Sequence, residues 1–98
     1  MNAIFKNDNL DKLEIDATFD GGWESGIVKA FRKRMQQIRA AGDERDFYNL
    51  KSLHFEKLSG KRKHQYSMRL NDQWRLIVEL EGSGESKKVV VICIEDYH

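Results

Sequence analysis

The sequence predicts a small α+β domain, in which N-terminal helices pack on a small, mainly antiparallel and twisted β-sheet. Three patterns predict it: helical spacing of apolar residues over Ser25–Ala40, period-two alternation over Gln65–Leu80, and a continuous apolar run over Val89–Ile94. With 98 residues, 40% of them hydrophobic and 34% charged, the chain is globular and long enough for one core. We therefore expect a single domain over residues 1–98.

The first half of the chain predicts helices. A short strand over Met1–Lys6 is followed by Asn7, whose side chain can cap an acidic helix marked by Leu10 and Leu13. The longest helix is expected over Ser25–Ala40, with a core-facing stripe formed by Ile27, Phe31, Met35 and Ile38 and a basic outer face formed by Lys29, Arg32, Lys33 and Gln36.

Loops and a hairpin follow. Gly42 ends the long helix, and Asp43 can cap a short helix over Glu44–Leu50. The segment His54–His64 reads as a polar, basic connection that turns at Gly60. A loose loop at Gly82–Ser86 then leads into a last strand, Lys87–Glu95, whose continuous apolar run predicts an inner position in the sheet.

The hairpin is the most informative stretch. Alternation places Tyr66, Met68 and Leu70 on one face of the first strand, and Trp74, Leu76, Val78 and Leu80 on the same face of the second. Matching these faces requires an odd-length loop, so a three-residue turn, Asn71–Gln73, pairs Leu70 with Trp74. The same register sets Arg69 opposite Arg75 on the other, exposed face. Like charges directly opposed are unfavourable, which suggests that an anion binds between them.

Charge is strongly segregated along the chain. The net charge is +1, but residues 57–75 carry six lysines and arginines against one acid, a local excess of +5, while residues 8–24 carry six acids against Lys12. A concentrated basic segment on a near-neutral protein favours a site for a polyanion, although a solvated charged surface would show the same pattern.

The single cysteine, Cys93, cannot form an internal disulfide, which fits a reducing compartment and a cytoplasmic protein. No signal peptide is visible, and the longest apolar run is too short to cross a bilayer.

The residues that can carry chemistry lie in the hairpin and in the last three positions, Asp96, Tyr97 and His98. Two arginines that hold a phosphate, with proton donors and acceptors beside it, would form a metal-free site for phosphoryl transfer. The histidines and Cys93 lack the spacing of zinc ligands, and the chain has no phosphate-binding glycine loop or nucleophile elbow. No cofactor is expected.

The segment LSGKRKHQYSMRLNDQWRL, followed by EDYH, resembles the HigB (host inhibition of growth) toxins of bacterial type II toxin–antitoxin systems, in the RelE/ParE superfamily. The two motifs cover about a third of the chain, and its length and order of elements agree. The resemblance implies a ribosome-dependent mRNA endonuclease that needs no metal. It also implies a helix-turn-helix, HigA-like antitoxin as partner, with operator DNA bound only through the antitoxin.

The resemblance places catalytic residues at Arg69, Arg75, Asp96, Tyr97 and His98. Some members carry a histidine in the loop before the glycine, where this chain has Glu56, with His54 two residues earlier. Whether Glu56 takes over that role stays open. The expected RNA-contacting residues are Lys57, Lys61, Arg62, Lys63, His64, Asn71 and Trp74.

Two other functions fit the same sequence. The superfamily includes ParE-like toxins that bind gyrase and cleave nothing; these are also small, basic and antitoxin-bound. An RNA-binding module without activity would share the charge pattern but would give no reason for the Asp96–His98 motif. That motif and the dense basic segment favour the nuclease.

Overall fold

The computed structural model describes residues 1–96, and its order of elements confirms an α+β fold. The helices are α1 (Asp8–Ile15), α2 (Ser25–Ala40) and α3 (Arg45–Asn49). The strands are β1 (Asn2–Phe5), β2 (Glu56–Lys57), β3 (Gln65–Arg69), β4 (Trp74–Glu81) and β5 (Lys88–Asp96). Tyr97 and His98, two of the predicted catalytic residues, lie outside the described residues.

The five strands form one sheet in the order β1-β5-β4-β3-β2, in which β1 runs parallel to β5 and the other pairs are antiparallel. The last strand therefore lies inside the sheet, as its apolar run predicted. A register shift between Ile77 and Val78 makes Ile92 an extra residue on β5, which is a β-bulge.

Helix α1 begins at a side-chain cap, whereas α2 has no such cap and is held by its apolar stripe. The Asn7 side-chain oxygen accepts hydrogen bonds from the backbone N–H groups of Asn9 (2.9 Å) and Leu10 (3.3 Å), which satisfies donors that the helix itself leaves unpaired. Helix α2 has the predicted bounds. On its outer face, however, Arg32 is partly buried, and its guanidinium donates to the carbonyls of Leu13, Asp16 and Phe19. Arg32 thus anchors the end of α1 and the loop after it.

The core fills the space between the helices and one face of the sheet. It is lined by Leu10, Leu13, Ile27, Phe31, Met35, Ile38, Phe47, Met68, Leu76, Val78, Val89 and Val91. Across residues 1–96 there is no helix long and apolar enough to span a membrane.

The hairpin has the predicted register. Met68 pairs with Leu76 and Arg69 with Arg75, and the Leu70 N–H donates to the Trp74 carbonyl at 2.9 Å. The Asn71 side-chain oxygen closes the turn by accepting from the backbone N–H groups of Gln73 (2.8 Å) and Trp74 (2.7 Å).

The segment between α3 and β3 differs from the prediction. Residues 54–64 were expected to form a plain connection, but Glu56 and Lys57 form strand β2, which pairs with Ser67 and Tyr66 of β3. Single 3₁₀ turns precede and follow it, at Lys51–Leu53 and Gly60–Arg62. The connection therefore runs along the edge of the sheet and covers the end of the hairpin.

Candidate active site

The two arginines of the hairpin lie on the sheet face opposite the core, as the register predicted, but they differ in environment. Arg75 is only 5% exposed. Its Nη2 donates to the His54 carbonyl (2.5 Å) and to Ser67 Oγ (2.8 Å). The prediction that this face is exposed is therefore wrong at Arg75, because the segment entering β2 covers it.

His54 supplies that cover in an unusual backbone conformation. Its φ and ψ angles of 46° and 52° are left-handed, and among residues 1–96 it is the one residue other than glycine with a positive φ. Such a conformation costs on the order of 1–3 kcal/mol and persists only where the surroundings impose it. The contact of its carbonyl with Arg75 is one such constraint. His54 therefore joins the edge strand to the buried arginine.

Arg69 is the accessible partner of the pair. Its side chain is 37% exposed, and its guanidinium forms an ion pair with the exposed Asp72 in the turn. An exposed ion pair of this kind contributes little to stability, with a typical value of about 0–1 kcal/mol. A phosphate can therefore replace the Asp72 carboxylate at Arg69 without a large cost in folding free energy.

Arg69 and Arg75 border a cleft of about 200 Å³, which is also lined by His54, Asn71 and Asp72. We call it the arginine cleft. Glu56 stands at its edge, with its carboxylate 3.9 Å from Arg75 Nη2. The two guanidinium groups can bind a phosphate diester and stabilise added negative charge on its oxygens. The Glu56 carboxylate can accept a proton from a neighbouring hydroxyl.

The start of the Asp96–His98 motif reaches the same end of the sheet. Asp96 pairs in register with Trp74, and its carboxylate accepts a hydrogen bond from the Gln73 side chain at 3.1 Å. Arg75 pairs instead with Glu95. By register, the carboxylate that shares the arginine face is thus Glu95, whereas Asp96 lies beside the turn. Among residues 1–96, no three His, Cys, Asp or Glu side chains are grouped as a metal site requires.

The predicted RNA-contacting residues separate into two groups. Lys57, Lys61, Lys63 and His64 are exposed along β2 and the loop after it, and we call these residues the basic strip. Arg62, in the same loop, is bound: its guanidinium donates to both Glu95 carboxylate oxygens at 2.8 and 2.9 Å, which raises the pKa of Arg62. Arg62 therefore lies near the basic strip, but its guanidinium is already bound to Glu95 of the same chain.

Asn71 and Trp74 also have structural contacts. Asn71 closes the turn, while the Trp74 ring packs edge-on against Trp23, with ring centroids 5.2 Å apart. Trp23 and Trp74 both lie against the core, so the packing that holds the turn at the arginine cleft extends to the loop before α2.

Arg34 is a site-supporting residue that the sequence reasoning missed. It lies on α2, is 8% exposed, and donates from Nε to the Arg69 carbonyl at 2.6 Å and from Nη1 to the Gln37 side chain at 3.1 Å. Burial, and secondarily the charge of Arg69, lower the pKa of Arg34. The sequence did contain a signal for its burial: Arg34 falls within the apolar stripe of α2, one turn after Ala30 and beside Met35. Arg34 ties the hairpin end to the longest helix.

Comparison with known proteins gives the family. A family model described as the RelE-like toxin of type II toxin–antitoxin system HigB matches residues 3–98. No curated protein matches in sequence. Among solved structures, the chain is similar to a YoeB/ParE toxin from Agrobacterium tumefaciens, with a TM-score of 0.62, 17% identity and complete coverage of both chains. At that identity the structural likeness shows a shared fold. The match over nearly the whole chain shows that this protein belongs to the HigB-like family of RelE-like toxins of type II toxin–antitoxin systems.

Proposed function

We propose that this toxin is a ribosome-dependent, metal-independent mRNA endonuclease of the cytoplasm that inhibits translation. The observation that carries the proposal is the arginine cleft: Arg69 and Arg75 are paired across the hairpin, with Glu56 at the cleft's edge. Family membership supports it, because a toxin must act on an essential process. A cleft that carries two cations, with the Glu56 carboxylate beside one of them, suits the cleavage of a phosphodiester.

The reaction follows from the groups present. The substrate 2′-hydroxyl attacks the adjacent phosphorus, a 2′-O–P bond forms, and the P–O5′ bond breaks to leave a cyclic phosphate and a 5′-hydroxyl. Glu56, Asp96 or His98 accepts the proton of the 2′-hydroxyl. Arg69 and Arg75 stabilise the charge on the phosphate oxygens, and Tyr97 or His98 gives a proton to the departing 5′-oxygen. Because Arg75 is held by two hydrogen bonds, its charge needs little reorganisation when the phosphate arrives.

The basic strip is proposed to bind ribosomal RNA or mRNA phosphates. Reversing Lys61 and Lys63 to glutamate should weaken ribosome association and should reduce the slope of log affinity against log salt concentration by about 1–2. Arg62 is left unchanged because its loss would also free Glu95. Lys29→Glu with Lys33→Glu, two exposed positions on α2, is the control. Unchanged association of the Lys61/Lys63 variant, measured by salt titration and sedimentation with ribosomes, would exclude the strip as a docking surface.

The antitoxin is the partner that family membership implies, and we propose that it is a helix-turn-helix, HigA-like protein encoded beside the toxin. Lys29 and Lys33 border a groove of about 730 Å³ between α2 and the preceding loop, whose wall includes Phe19 and Trp23. This groove is our candidate for part of the contact. Co-expression should give a stable complex that binds operator DNA, whereas recovery of the fully toxic chain alone beside its native neighbour gene would contradict the pairing.

One experiment distinguishes the proposed mRNA endonuclease from a gyrase-inhibiting toxin. Brief induction of the toxin followed by primer extension on cellular mRNA should show cuts in translated regions, phased with the codons. Intact mRNA together with altered DNA supercoiling or DNA damage would indicate gyrase as the target and would contradict the proposed nuclease.

A further inference from the structure

A second groove adjoins the arginine cleft and has a different chemical character. Tyr48 and Leu50 are large apolar side chains that remain 55% and 40% exposed beside it. The groove has a volume of about 370 Å³ and is lined by Tyr48, Leu50, Lys51, His54, Phe55 and Glu56. We call it the aromatic groove. His54 lines both this groove and the arginine cleft, so the two are neighbours on either side of this residue.

The wall of the aromatic groove is fixed by ring packing. The Tyr48 ring meets the Phe55 ring edge-on, with centroids 4.9 Å apart. Phe55 is buried and stacks parallel to Tyr66 of β3 at 5.0 Å, and it also contacts Phe47 of α3. Residues of α3 and β3 therefore hold Phe55, and the exposed Tyr48 ring packs on this fixed ring. A surface held in this way costs little entropy to use in binding.

We propose that the aromatic groove is a nucleobase subsite, which receives the base of a nucleotide adjoining the scissile phosphate; this rests on the proposed nuclease function. Every nucleobase has a flat apolar face that stacks on an aromatic side chain. Tyr48 and Leu50 supply that surface, the Lys51 ammonium can bind a flanking phosphate, and Glu56 and His54 offer polar groups for the edge of the base.

The position of the aromatic groove beside the arginine cleft favours a nucleobase over a protein side chain as the occupant. Each nucleotide of RNA carries one base next to one backbone phosphate. The protein likewise places an apolar groove next to a cationic cleft, on either side of His54.

The test compares Tyr48→Ala, Tyr48→Phe and Tyr48→Leu in single-turnover cleavage of ribosome-bound mRNA. We expect Tyr48→Ala and Tyr48→Leu to lose about tenfold to a hundredfold in kcat/KM, the usual loss for one base–aromatic stack, and Tyr48→Phe to cleave nearly as the wild type does. Tyr48→Leu keeps an apolar contact with Phe55, so it remains informative if the alanine variant unfolds. Ile15→Ala, which removes an exposed apolar side chain from α1, is the matched control.

A second readout does not require cleavage. Ribosomes are loaded with mRNA that is 2′-O-methylated at the cut position and carries fluorescent 2-aminopurine at the neighbouring position. Wild-type toxin should quench the fluorescence by stacking, and Tyr48→Ala should not. Equal cleavage and equal quenching by folded Tyr48→Ala and wild type would overturn the proposal. So would a Tyr48→Ala variant that loses only antitoxin binding. If the wild type cuts no mRNA, the proposed function fails, and the quenching still decides whether a base stacks on Tyr48.

Discussion

Replacing Arg69 with alanine is expected to slow mRNA cleavage by about 10²–10³, the usual cost of losing one charge contact to a transition state. The fold should be nearly unchanged, because the Arg69 side chain is partly exposed and its ion pair is with Asp72 at the surface. The contact of Arg34 with position 69 uses the backbone carbonyl, which alanine keeps. Single-turnover cleavage measures the loss of activity, and thermal melting measures the stability of the fold.

The matched control for this variant is Asp72→Asn. It removes the carboxylate that occupies Arg69 in the free protein and leaves both arginines in place. Cleavage by Asp72→Asn should equal or exceed that of the wild type, since the substrate phosphate no longer competes with Asp72. If Asp72→Asn is as inactive as Arg69→Ala, the loss of cleavage in both variants comes from a changed turn conformation. Contact of Arg69 with the phosphate would then not explain the loss.

Arg75→Ala is a less direct probe of the same cleft. From the sequence alone, repulsion between Arg69 and Arg75 predicts that this substitution leaves the protein intact or slightly more stable. The structure contradicts that expectation: the buried guanidinium donates to the His54 carbonyl and Ser67 Oγ. A buried polar group that loses its partner typically costs about 1–3 kcal/mol. We therefore expect lost activity together with a lowered melting temperature.

Replacing His98 with glutamine is expected to slow cleavage by about 10²–10⁴, the usual contribution of a positioned acid or base. The proposed reaction needs a proton acceptor for the 2′-hydroxyl and a proton donor for the 5′-oxygen, and histidine can serve as either near neutral pH. The variant should melt like the wild type and should still bind ribosomes, because the basic strip is untouched. Its single-turnover rate, measured beside Tyr97→Phe, gives the result.

Comparison of the His98→Gln and Tyr97→Phe cleavage rates shows which of the two side chains transfers a proton. If His98→Gln is much slower than Tyr97→Phe, His98 carries a proton transfer and the Tyr97 hydroxyl does not. A His98→Gln variant that is folded, binds ribosomes and cleaves at the wild-type rate would remove His98 from the site.

Much of the fold could be predicted because its strongest signals are local. The apolar repeat of α2 gave its bounds, Ser25–Ala40, and alternation around the three-residue turn gave the pairing of Arg69 with Arg75. In each case a single geometric period decides which side chains face the core. The family resemblance rested on this hairpin and on the C-terminal EDYH motif, and the hairpin part contains Arg69 and Arg75, which border the arginine cleft.

The parts that sequence reasoning missed depend on contacts between distant segments. Two residues are too few to show alternation, so strand β2 at Glu56–Lys57 could not be detected. The burial of Arg75 follows from β2, since the segment leading into it covers the arginine. The role of Arg34 depends on the Arg69 carbonyl, 35 positions along the chain, and no local pattern reports such a contact.

The central claim is that the arginine cleft makes this toxin an mRNA endonuclease. Its most direct test is single-turnover cleavage of ribosome-bound mRNA by the wild type, Arg69→Ala and Asp72→Asn, each shown by melting to be folded. We expect rapid cutting by the wild type and Asp72→Asn, and a rate about 10²–10³ lower for Arg69→Ala. Cutting by Arg69→Ala at the wild-type rate, or no cutting by the wild type, would contradict it.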